Sequence, residues 1–128
     1  MKEPDEQLIR AELVKFTTAV PSILSVIVVD RTINGWPVAF VSRDDSFSED
    51  SMVAMINDYY RLAIKVVDDL WLGDFKYFTA VGAETLSVIL PLTEVYGMVL
   101  VVQTGTRLDT FFATIQPHCE SLLKYLSD

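Results

Sequence analysis

Hydrophobic and polar positions recur along the chain with helical and extended periods that divide it into eight elements. From Glu6 to Val20, the residues Ile9, Leu13, Phe16 and Val20 fall at i, i+4, i+7 and i+11, one narrow helical face that Pro21 closes. Ser22 to Asp30 carries Ile23, Leu24, Val26, Ile27, Val28 and Val29 without polar alternation, which predicts a strand covered on both faces. Asn34-Gly35 predicts a hairpin turn, since both turn positions require positive φ. The returning strand, Trp36 to Val41, contains Pro37, which cannot donate to a ladder and therefore belongs at a sheet edge.

Arg43 to Ser51 is a polar loop whose end offers Ser48 or Ser51 as an N-cap. A helix from about Ser51 to Leu72 stops at Gly73, a natural C-cap. Three strands then form a meander: Phe75 to Val81, Leu86 to Leu90, and Met98 to Gln103, with turns at Gly82-Ala83-Glu84 and around Pro91 to Gly97. The last strand is apolar throughout and so is predicted to be central. A closing helix, Thr106 to Leu126, carries Leu108, Phe112, Ile115, Cys119, Leu122 and Leu126 on one face, with Thr106 and Asp109 spaced as a capping box. Pro117 lies inside it but points away from that face, which predicts a kink rather than a break. The order is α-β-β-α-β-β-β-α in a single α+β domain spanning residues 1–128. Two strands need cover on both faces, so the three helices must be divided between the two sides of one sheet.

The middle helix has more apolar surface than that role needs. Met52, Ile56, Tyr59, Ala63, Val66 and Leu70 lie within about 40° of one line and form a sheet-facing stripe. Val53, Tyr60, Ile64, Val67 and Trp71 form a second stripe roughly 90° away, and Met55 and Leu62 flank the other side. The apolar arc spans about 200°, twice the width of an ordinary surface helix. The second stripe is therefore expected to meet a partner, because so short a chain has little else to cover it beyond the loop Arg43 to Asp50.

Composition agrees. The chain has 128 residues, 51% of them hydrophobic, and its mean hydropathy is +0.33, which excludes intrinsic disorder. Ten Lys and Arg stand against 18 Asp and Glu, a net charge of −8 with no basic cluster, which argues against nucleic acid. The apolar runs are far shorter than the ~20 residues needed to span a bilayer. Met1 to Glu6 has no signal-peptide character, and Cys119 is the sole cysteine, so a cytoplasmic protein is expected.

Chemistry-bearing residues are sparse. His118 is the only histidine and Cys119 the only cysteine, one or two ligands short of a Cys/His zinc site. The five glycines are scattered as turn punctuation and form no phosphate loop. Asp44-Asp45 and Asp68-Asp69 lack the spacing of a calcium loop and read as solvated charge and capping. Trp36 and Trp71 read as packing or interface residues. No catalytic, metal or cofactor site is predicted, and the chain is read as a non-enzyme.

Several of these segments resemble the Roadblock/LC7 family: Val20 to Asp30 with the Asn34-Gly35-Trp36-Pro37-Val38-Ala39 hairpin, the Leu70-Trp71-Leu72-Gly73-Asp74-Phe75-Lys76 junction, the strands Leu86 to Leu92 and Gly97 to Thr104, and Arg107-Leu108 opening the final helix. The resemblance runs from about Glu6 to Leu126. It implies a five-stranded antiparallel sheet in order 2-1-5-4-3, with the first and last helices on one face and the middle helix on the other. It also implies a homodimer, or a heterodimer with another Roadblock-type chain, in which the strand bearing Phe75, Tyr77 and Thr79 pairs with its counterpart and the middle helices pack side by side. Its members often receive a Ras-like small GTPase and act as scaffolds or GTPase regulators without chemistry of their own. The expected function is thus a dimeric GTPase adaptor whose partner interface includes Val53, Tyr60, Ile64, Val67, Trp71, Phe75, Tyr77 and Thr79. A ligand-sensing domain of PAS or GAF type, with a cavity between sheet and helix, is one alternative, and a dynein-type motor light chain is another.

Overall fold

A computed structural model describes residues 4–33 and 36–126. The elements are α1 (Glu6–Ala19), β1 (Ile23–Asp30), a 3-10 turn (Arg31–Ile33), β2 (Trp36–Ser42), α2 (Glu49–Asp69), β3 (Phe78–Val81), β4 (Thr85–Pro91), β5 (Tyr96–Gln103) and α3 (Leu108–Leu126). The Asn34-Gly35 turn lies outside the described residues. The five strands make one antiparallel sheet in order β2-β1-β5-β4-β3, with β1 and β5, the two strands without alternation, beside each other at its centre. Pro37 lies on the edge strand β2, opposite a register shift at Val28/Val29.

Each face of the sheet has its own core. Val26, Val28, Leu86, Val88, Met98, Leu100 and Val102 pack with Ile9, Leu13 and Phe16 of α1 and Phe111, Ile115, Leu122 and Leu126 of α3. On the opposite face, Ile27, Val29, Ile89, Val99 and Val101 pack with Met52, Ile56 and Tyr60 of α2. The helices begin where polar side chains satisfy their first N–H groups. Asp5 accepts from the N–H of Gln7 at 3.0 Å and of Leu8 at 3.2 Å, and Ser48 accepts from Ser51 at 3.1 Å. Each such cap stabilises its helix by about 1 kcal/mol.

Boundaries shift by one to three residues from the sequence expectation, and four of the shifts have a clear local reason. Because Ser48 is the cap, α2 starts at Glu49 rather than Ser51. It ends at Asp69 rather than Leu72, since the N–H of Leu72 donates to Val67 and that of Trp71 to Asp68, the paired bonds of a Schellman turn. Strand β3 starts at Phe78 rather than Phe75: in this register Lys76 would face Pro91, which has no N–H to give, and Phe75 instead turns onto Tyr60. At α3 the capping box does not form. The Thr106 hydroxyl donates to the Gln103 carbonyl, and Asp109 takes Arg107 and the N–H of Thr110. Phe111, not counted in the predicted stripe, is more buried than Leu108 or Phe112, while Pro117 sits exposed within a continuous helix.

One close approach positions α2. The ring of Tyr60 lies directly on β5 at Gly97, where a Cβ would come within 2.9 Å of a ring carbon and 3.2 Å of the Arg31 side chain. Gly97 is the gap into which the helix seats its largest buried side chain. Replacing it forces the ring outward against a packed sheet, so Gly97→Val is expected to cost about 1–3 kcal/mol in urea unfolding, as overpacked cores do. Gly105→Ala gives the contrast: nothing lies near its Cβ, and its penalty comes from the positive φ of 84° alone.

Candidate partner interface

The side chains on α2 settle which line faces the sheet. Met52, Ile56, Tyr60 and Ala63 are buried, with Tyr60 only 5% exposed. Tyr60 therefore belongs to the core-facing line, where the sequence reading had placed Tyr59, Val66 and Leu70. Those three are exposed, Tyr59 at 41% and Leu70 at 63%. The apolar excess thus lies on both flanks of the helix. Tyr59, Leu62 and Val66, with half-buried Met55, form the flank toward β3, and Ile64 with half-buried Val53 forms the other.

The residues proposed from sequence are distributed accordingly. Val53 and Val67 are half-buried, Ile64 is exposed, and Trp71 is 93% exposed. Phe75 packs edge-on to the Tyr60 ring at 5.1 Å, and Tyr77 crosses to the opposite face of the sheet, 4.5 Å from the Phe112 ring. Thr79 is half-buried, its hydroxyl donating to Ser87 at 2.8 Å. Tyr59, Leu62 and Val66 were missed as exposed residues because a helical wheel cannot say which of two adjacent apolar lines turns inward.

Among the described residues, nine of the twelve large exposed hydrophobics fall between Tyr59 and Val81; the others are Leu8, Val14 and Trp36. The concentration coincides with an unpaired sheet edge. Among the described residues strand β3 bonds only to β4, and its last residue, Val81, is 70% exposed. Because the N–H of Gly82 donates to Thr85 across the hairpin, antiparallel alternation turns the N–H groups of Thr79 and Val81 outward. The other edge is blunted by Pro37 and by Arg10, which donates to the Phe40 carbonyl at 3.2 Å. Between α2 and the β3–β4 hairpin runs an open groove of about 670 Å³, lined among others by Met55, Tyr59, Ala80 and Ser87.

The C-terminal end of α2 breaks local rules. Trp71 takes φ of 57°, the left-handed conformation that a Schellman turn normally gives to glycine. The last helical turn carries Asp68 and Asp69 and no basic residue, which places negative charge at the negative end of the dipole. Lys65 pairs with Asp69 at 2.6 Å, but both are solvated and the pair contributes little. Leu70 and Leu72, both 63% exposed, flank Trp71.

Groups with chemical potential lie elsewhere. Burial pushes the Cys119 thiol up to about 11, with Glu120 adding to the shift, so the reactive thiolate is disfavoured. His118 lies against the Phe16 ring at 5.0 Å. No three His, Cys, Asp or Glu side chains converge as metal ligands among the described residues.

No protein-family model and no curated protein matches the sequence. Solved structures do match the fold. Myxococcus xanthus MglB superposes with a TM-score of 0.81 at 16% identity, covering 97% of this chain and 91% of that one. A Roadblock/LC7 domain from Streptomyces avermitilis gives 0.79 at 15% identity, covering 93% and 98%. An MglB with a tetrameric arrangement gives 0.75 at 12%, covering 98% and 92%. The chain has the Roadblock/LC7 fold.

Two expectations follow. Trp71→Gly relieves the left-handed strain without removing a packed side chain, and is expected to raise the stability of the isolated chain by about 1 kcal/mol in chemical denaturation. Burial also pushes the Tyr60 phenol up to about 12, against the opposing field of Arg31. Both acids are raised in the folded state, so stability should be full below about pH 9 and fall as pH rises through 12, first from Cys119 and then from Tyr60. Tyr60→Phe should flatten the upper part of that decline in a pH series of thermal melts.

Proposed function

We propose that this chain is a non-catalytic dimeric adaptor that binds or regulates a Ras-like small GTPase. The observation that carries the reading is the adjacency of the exposed α2 flank, Tyr59, Leu62 and Val66, to the unpaired edge of β3. A second copy placed there by two-fold symmetry adds its β3 to the edge and its α2 to the flank, satisfying the outward N–H groups and covering the groove together. The interface proposed from Val53, Tyr60, Ile64, Val67, Trp71, Phe75, Tyr77 and Thr79 is thereby shifted toward Tyr59, Leu62, Val66 and Val81, with Trp71 and Thr79 retained and Tyr60 assigned to the core.

The fold shared with MglB proteins and with a Roadblock/LC7 domain supports the adaptor class, and the tetrameric arrangement of one MglB supports association of such folds into larger assemblies. The GTPase follows from what the family resemblance implies. The surface of paired α2 helices would offer it a broad apolar platform. The sensor alternative needs a cavity between sheet and helix, whereas here α2 seats Met52, Ile56 and Tyr60 directly on the sheet and the groove beside it opens to the surface.

Light scattering at micromolar concentration should give twice the 14.4 kDa chain mass. Leu62→Asp and Val81→Pro should each weaken association at least ~10-fold while leaving the far-ultraviolet circular dichroism unchanged, because both residues are exposed and the proline removes only an outward N–H. A mass of one chain throughout contradicts the dimer, and a doubled mass indifferent to both substitutions contradicts this interface. A Ras-like GTPase encoded beside this chain should bind the dimer when loaded with a non-hydrolysable GTP analogue. Absence of binding in either nucleotide state, by a chain shown to be dimeric, contradicts the GTPase assignment alone.

A further inference from the structure

The flank of α2 that turns toward β1, away from β3, holds a small cleft of different character. It measures about 200 Å³ and is lined by Val29, Arg31, Ile56, Asn57, Tyr60, Arg61 and Ile64. Two of the ten cationic side chains of an acidic protein thus line one cleft that, among the described residues, no carboxylate lines. The Arg31 guanidinium lies over the Tyr60 ring, 4.3 Å from its centroid, and Arg31 also donates to the Glu94 carbonyl. This holds the guanidinium in a fixed plane at the cleft, with Arg61 at the exposed rim.

Among the described residues, two buried polar atoms here have no hydrogen-bond partner: Arg31 Nε and the Tyr60 hydroxyl. Buried donors are almost always paired, and each orphan costs about as much as a lost hydrogen bond. Arg31 Nε can only donate and the Tyr60 hydroxyl can donate, so an acceptor bearing negative charge suits each of them. The remaining walls, Val29, Ile56 and Ile64, are apolar and suit a short aliphatic stem.

We infer that this cleft is a carboxylate-binding site, taking one carboxylate on an aliphatic arm between Arg31, Tyr60 and Arg61. The volume suits a glutamate side chain or a short free carboxylic acid and is too small for a nucleotide. The site stands apart from the β3 flank, so it does not rest on the dimer or the GTPase.

The test titrates the full isotope-labelled chain with sodium butyrate at constant ionic strength while following the Arg31 Nε–H and Asn57 backbone resonances by NMR. Saturable shifts are expected with butyrate and none with butyramide. Arg61→Gln and Tyr60→Phe should each weaken butyrate binding about 5–10-fold while the other resonances stay in place. N-acetylglutamate methylamide binding more tightly than butyrate identifies a protein side chain as the source, and butyrate binding as tightly or more so identifies a free acid. Linear shifts, equal shifts with butyramide, saturation indifferent to both substitutions, or preference for inorganic phosphate over butyrate overturns the carboxylate site.

Discussion

A single helix cannot cover one face of a five-stranded sheet. At about 4.8 Å per strand the sheet is roughly 24 Å wide, and a helix with its side chains covers about 10 Å. On one face α1 and α3 share the task and bury Val26, Val28, Leu100 and Val102 completely. On the other, α2 works alone. It lies over Ile27, Val29, Val99 and Val101 and leaves the β3 side open as a groove, and its β3-side flank stays apolar where it borders that groove. The excess hydrophobicity of a strongly acidic chain goes with this shortage of cover, and a net charge of −8 opposes non-specific association through such a surface.

The seat of α2 is specified tightly where it touches. Tyr60 fills the space left by Gly97, is capped by Arg31 and is met edge-on by Phe75, so one aromatic ring ties together β5, the end of β1 and the segment leading into β3. Further along the helix the specification relaxes. Trp71 occupies a conformation suited to glycine, Asp68 and Asp69 oppose the dipole, and Leu70 and Leu72 are largely in water. Sequences usually agree with their folds at every level, and a cluster of disagreements marks a place held for something other than the stability of the isolated chain. In this protein the cluster falls in the segment that joins the exposed flank of α2 to the free strand.

The order of elements and the central place of β1 and β5 were legible because a strand buried on both faces loses its polar alternation, as Val26 to Val29 and Met98 to Val102 do. The edge position of β2 was legible from Pro37. What was not legible depended on contacts between distant residues. Tyr59 and Tyr60 are equivalent on a helical wheel; only Gly97, 37 positions later, selects Tyr60 for the core. The short β3 follows from Pro91 lying opposite Lys76 in the register, which no local pattern around Phe75 reveals. The Arg31–Tyr60 pairing left no trace in spacing, since it joins the end of a strand to the middle of a helix. Excess apolar surface could thus be assigned to α2 from sequence, whereas its division between the two flanks could not.

The proposed two-fold dimer through α2 and β3 would complete the uncovered face and make the sheet continuous across the two chains. The most direct measurement is amide hydrogen exchange at Thr79 and Val81, whose N–H groups point away from β4, across a range of protein concentrations. Protection at both that grows with concentration in step with the association equilibrium is the predicted result. Exchange at these two amides that stays fast and independent of concentration, while Gly82 and the β4 amides remain protected, would contradict it.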